Sequence, residues 1–126
     1  MAVTHTTTFR NQVADLIGDS TDSGKLVFRI TGSTANTPTT AVATLTLNAA
    51  AFPAASTGVL TAAAITSDTS AAGGTAAFAT IETSASAVKA HCAVAASGSD
   101  IDLTNGLTIT AGDTVSCSSL TYTAMA

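Results

Sequence analysis

Tryptophan is missing from this chain, and four Phe and one Tyr are its only aromatic residues. The interior must therefore be built mostly from small or β-branched side chains, and an interior of that kind gains little from apolar burial, which is worth about 25 cal/mol per Å². Charge is equally scarce. Four Lys/Arg, eight Asp/Glu and two His are scattered without clustering, whereas an active site needs a few convergent ionisable groups. The basic residues Arg10, Lys25, Arg29 and Lys89 form no stripe for phosphate neutralisation and the net charge is -4, so nucleic acid is not expected as a partner. Long apolar runs are absent as well. The longest, residues 49–55 broken by Pro53 and residues 61–65, fall far short of the roughly 20 residues of a spanning helix. The opening Met1-Ala2-Val3-Thr4-His5 lacks the basic start and apolar stretch of a secretory leader, so synthesis in the cytoplasm is expected. Cysteine is limited to Cys92 and Cys117, each inside an expected strand, and in that compartment both are expected as buried thiols.

What the chain has instead is alanine and threonine, 52 residues together, in a pattern that changes period once. The helical part comes first. Phe9, Val13, Leu16 and Ile17 stand at i, i+4, i+7 and i+8 with Arg10, Asn11, Gln12 and Asp15 between them, which predicts an amphipathic helix over 9–18. A Thr of the run Thr6-Thr7-Thr8 supplies the N-cap, and Gly18 with Asp19-Ser20 is expected to end it. So short a helix is marginal alone, and its apolar stripe must dock on its own sheet or on a neighbouring subunit.

Beyond the turn-rich 19–24 the period is two. Alternation predicts strands at 25–31, 41–47, 59–66, 76–82, 85–95, 101–109 and 114–123. In the first, Leu26, Phe28 and Ile30 share one face and Val27 and Arg29 the other. Turn signals lie between the strands, among them the polar loop 32–40, Gly73-Gly74, Ser97-Gly98-Ser99-Asp100, Asn105-Gly106 and Ala111-Gly112-Asp113. Phe52, in the irregular link 48–57, is expected to plug one end of the core. The expected fold is a single domain over 1–126, mainly β: an antiparallel β-sandwich or jelly roll at 25–124, with an N-terminal arm at 1–8 and one short helix. A core lined by Ala gains from oligomerisation, so an assembly is expected.

No motif carries chemistry. His91 and Cys92 are consecutive in a strand and point to opposite faces, so they cannot pair as base and nucleophile. His5, His91, Cys92 and Cys117 lack the paired short spacings of a zinc site. The run from Asp100 to Gly106 superficially resembles a calcium loop, but Asn105 stands where the sixth-position Gly is required and Ala111 where the twelfth-position Glu is. Gly73-Gly74 has no following Lys-Ser/Thr and is expected to be a turn, not a phosphate cradle. Nothing marks any Asp, or Glu82, as buried, so paired carboxylates for glycoside hydrolysis are unsupported. Thr-rich faces satisfy β propensity on a solvated surface. No enzyme, metal, cofactor, membrane or nucleic-acid function is expected.

The order of the pieces is distinctive: Thr-His-Thr-Thr-Thr-Phe-Arg-Asn at the helix, then Gly-Lys-Leu-Val-Phe-Arg, Val-Ala-Thr-Leu-Thr-Leu, Gly-Val-Leu-Thr-Ala-Ala-Ala-Ile-Thr-Ser-Asp, Ala-Gly-Gly-Thr-Ala, Ser-Asp-Ile-Asp-Leu, Thr-Ala-Gly-Asp-Thr-Val and Ser-Leu-Thr-Tyr-Thr. Over essentially its full length the chain resembles small virion structural proteins of tailed bacteriophages and prophages. Loop 32–40 and the His91-Cys92 pair depart from that pattern. The resemblance implies a β-rich accessory component of the virion: a capsid decoration or cement protein, non-enzymatic, that sits where major capsid subunits meet and clamps them against internal DNA pressure. The partners expected are the major capsid protein and further copies of the chain, as a homotrimer. Val3, His5, Phe9, Val13, Leu16 and Ile17 of the arm and helix are the expected interface. The alternative is a tail- or fibre-associated structural or adhesion protein.

Overall fold

A computed structural model describes residues 3–30, 39–95, 101–102, 106–117 and 120–124. Helix α1 spans Thr7–Ser20, two residues longer at each end than the periodicity predicts. Thr6 is the N-cap, its Oγ1 accepting from the Phe9 amide at 3.2 Å. Gly18 does not end the helix; it lies inside it, buried. The stop comes from hydroxyls on carbonyls that have lost their helical partners: Ser20 Oγ donates to Ile17 O at 2.9 Å, and Thr21 Oγ1 lies 3.0 Å from both Ile17 O and Gly18 O.

The strands are β1 Lys25–Arg29, β2 Ala41–Thr46, β3 Val59–Thr61, β4 Gly74–Thr75, β5 Phe78–Glu82, β6 Val88–Ala95, β7 Ile101–Asp102, β8 Thr108–Ile109 and β9 Thr121–Thr123. Every predicted strand region contains one, but several are shorter than the alternation implies. The 59–66 segment pairs only through Thr61 before an isolated bridge from Thr66 to Thr46, and 114–123 holds a bridge from Val115 to Asp68 before β9. In 59–66 the reason is composition: the run Ala62-Ala63-Ala64 lacks the bulky cross-strand pairs that hold a ladder together. Asn105, the 97–100 turn and most of the 32–40 loop lie outside the described residues.

Five strands form one sheet in the order β2-β1-β5-β6-β7, antiparallel except for the short parallel pair β6-β7. Ribbons β3-β9 and β4-β8, both antiparallel, are separate from it, so the described residues give a five-stranded sheet and two ribbons rather than two continuous sheets. The chain is mainly β with one helix. Register assigns Leu26, Phe28, Ala43, Leu45, Ala79, Ile81, Cys92 and Val94 to one face, and these join a single core with Phe52, Leu60, Ala71, Ala76, Ile109, Val115, Leu120 and Ala124. Phe52 is buried in that core, against Gly18 of α1. Two bulges interrupt the sheet, at Val42 opposite Phe28/Arg29 and at Lys89 opposite Ile81/Glu82.

The link from α1 to β1 is fixed by backbone. Gly24 N donates to Thr21 O, Leu47 N donates to Gly24 O, and Ser23 N donates to Asn48 O. A Cβ on Gly24 would overlap the Glu82 carbonyl oxygen and lie 2.6 Å from Thr21 O. Neither backbone atom can yield without breaking the turn or the edge of β5. Gly24→Ala should therefore cost about 3 kcal/mol, the upper part of the overpacking range, read as a lowered urea midpoint with an unchanged slope.

Candidate functional site

The residues that sequence pattern singles out sit on the arm and on α1, and the helix is seated in an unexpected way. Its buried residues are Ala14 and Gly18, one turn apart. An added Cβ on Gly18 would be 3.2 Å from Leu60 Cδ1 and 3.3 Å from Phe52 Cβ, so the missing side chain is what lets the helix approach β3. Beside this small-residue contact stand three polar residues that tie loop backbone to the helix. Asn11 Oδ1 accepts from Gly58 N at 2.7 Å, Asp15 Oδ1 accepts from Ala55 N at 2.7 Å, and Arg10 donates to Ala124 O at 3.2 Å. Each satisfies a main-chain group left over by the irregular 55–58 segment or by the end of β9.

Seating by Ala14 and Gly18 turns Phe9 and Leu16 away from the core. Val13 and Ile17 are half-buried and pack against it. Phe9 keeps 47% of its surface exposed, Leu16 73% and Val3 82%; the other exposed large apolar side chain among the described residues is Ile30. Three of the four are thus gathered within the first sixteen positions, and chance scatter does not do that. The His5 and Phe9 rings are stacked with centroids 5.1 Å apart, and His5, Phe9, Arg10 and Val13 line an open cleft of about 210 Å³. Arg10 Nε is buried there with no hydrogen-bond partner among the described residues. The structure therefore brings Val3, His5, Phe9, Val13 and Leu16 onto one largely exposed segment and leaves Ile17 partly in the core.

A second cluster lies on the other face of the sheet, and residue pattern alone does not reveal it. Glu82 is buried at 2% exposure, and its Oε2 accepts from Arg29 at 2.7 Å and from Thr80 Oγ1 at 2.5 Å. Arg29 also donates from Nε to Thr80 Oγ1 at 3.1 Å and from NH1 to Thr39 O at 2.6 Å, so the guanidinium is held on three sides. The residues of this face are set by register: Val27, Arg29, Phe78, Thr80, Glu82 and His91. His91 stands opposite Thr80, its ring 4.9 Å from that of Phe78, with a buried Nε2 that has no partner among the described residues. Cys92 takes the opposite face, and both it and Cys117 lie half-buried against the core rather than fully buried as expected. A signal for the pair does exist in the sequence: Arg29 and Glu82 are opposite charges at matching alternation positions of two strands. Without the strand order nothing joins them.

This cluster holds the sheet together and contains no exposed reacting group. Removing one member of a buried pair strands the other, at a cost of about 3–5 kcal/mol. Glu82→Leu alone should lose that much in urea unfolding, and Arg29→Met added to it should restore most of the loss. At α1, Asn11→Ala should speed hydrogen exchange of the Gly58 amide by about fivefold, matching the roughly 1 kcal/mol of one hydrogen bond, while the Ala55 amide held by Asp15 keeps its protection.

Among the described residues no group of three His, Cys, Asp or Glu is placed to hold a metal ion, and no helix is long and apolar enough to cross a membrane. No known family model, curated protein or solved structure matches the chain.

Proposed function

We propose that this protein is a capsid decoration or cement protein of a tailed bacteriophage, built to join a shell made of major capsid subunits and of its own copies. The observation that carries the reading is the placement of Val3, Phe9 and Leu16: apolar, exposed and collected on the arm and one helix face, on a body otherwise covered largely by Thr, Ser and Ala. An assembly surface accounts for such a patch, and the weakly charged surface around it suits many copies packed closely. The resemblance of the ordered sequence segments to small virion proteins is part of the case for this reading.

The test is direct. Purified protein added to undecorated heads should bind at regular lattice points visible by electron microscopy and raise the temperature at which the heads release DNA. Absence of binding to heads, together with retention on host cells, would replace this reading with a tail- or fibre-associated module.

A further inference from the structure

We infer that the exposed face of α1 is a two-fold contact, taking the α1 of a second copy in antiparallel orientation. The inference rests on the assembly reading above and names the occupant of that surface.

The outward arc of the helix carries Thr8, Phe9, Gln12, Leu16 and Asp19, all exposed, with half-buried Val13 at its border. Four of the five are uncharged. The charges that α1 carries elsewhere are engaged on its inner side, Arg10 on Ala124 O and Asp15 on Ala55 N. Two copies of this face can meet without like charges in the middle.

The ends of the helix then decide orientation. No acidic residue lies in the first turn and no basic residue in the last, so neither pole of the helix dipole is compensated within the helix. Asp19 makes the mismatch worse, because a carboxylate near the C-terminus faces the negative pole. Antiparallel pairing removes it. In a register where paired positions sum to about 25, Phe9 faces Leu16 of the second copy, Gln12 faces Val13, and Asp19 comes over the N-cap Thr6, where a carboxylate is favoured. Parallel packing would instead place the two Asp19 carboxylates side by side.

Such a face is its own complement and closes at two copies, whereas the homotrimer expected from sequence needs two different patches. One helix face buries far less than the roughly 800 Å² per partner of a standard interface, so a micromolar dissociation constant is expected. Copies held side by side on a shell have a high effective concentration and do not require more.

Sedimentation velocity of the whole chain from about 1 to 200 µM, with Leu16→Asp and Asp19→Lys, tests the contact. Wild type should pass from monomer to dimer across that range, and Leu16→Asp should raise the dissociation constant about 100-fold with an unchanged circular dichroism spectrum. Asp19→Lys should weaken the dimer about tenfold while leaving the melting temperature of the monomer equal or higher, because lysine suits the C-terminal pole. That opposition is what a merely structural Asp19 would not produce, and it stands even if Leu16→Asp fails to fold. A wild-type protein that stays monomeric at 200 µM, forms trimers, or dimerises with no response to Asp19→Lys overturns the inference. A monomer that still decorates heads sinks this contact and keeps the cement reading; a dimer that ignores heads does the reverse.

Discussion

The seat of α1 on Ala14 and Gly18 governs both the interior and the surface of this molecule. Because the helix meets Leu60 and Phe52 through an absent side chain, its axis comes close to β3, and its larger residues reach the core only from the flanks, as Val13 and Ile17 do. Arg10, Asn11 and Asp15 then fall where polar residues are useful, against loop amides and a strand-end carbonyl. Phe9 and Leu16 are carried outward by the same rotation. A larger residue at position 18 would press on Leu60 and Phe52, so the interior contact and the exposed surface are set together.

The sheet solves a related problem on its two faces. The core face is lined by residues such as Leu26, Phe28, Leu45 and Ile81, yet seven of the twenty buried apolar residues described are alanines. Alanine removes little area from water, so specificity of strand order cannot come from side-chain bulk alone. The Arg29-Thr80-Glu82 network on the other face supplies it. A buried pair contributes little net stability against a well-packed apolar alternative, but it strongly disfavours any register that separates its members. Shifting β5 by one residue against β1 would move Glu82 to the apolar face and leave Arg29 unpaired.

Much of this is legible in the residues themselves. The helix, its capping by a Thr of the 6–8 run, the mainly β character and the opposed faces of His91 and Cys92 all come from period and turn chemistry, which act locally. What cannot be read that way depends on contacts between distant segments. Gly18 reads as a terminator because glycine usually ends helices; its role is set instead by Phe52 and Leu60, in segments far along the chain. Glu82 carries no mark of burial because its partner Arg29 lies in a strand made adjacent only by the sheet order. The helix face is legible as an amphipathic stripe, but which part of it faces the core is not, since Ala14 and Gly18 look neutral in a hydropathy pattern and yet decide the rotation.

The same economy of side-chain size connects stability with assembly. A domain that buries many methyl groups and few large side chains has a small margin, and any partner that binds only the folded form adds to it by mass action. The apolar groups that would have strengthened the interior, Phe9 and Leu16, are outside instead, where they return their burial energy only in a complex. On the proposed cement reading, free chains would stay dispersed at low concentration because the exposed patch is small, and would cohere only when concentrated on a shell. On that same proposal, leaving Phe9 and Leu16 outside the core would couple the stability of the chain to the particle it joins.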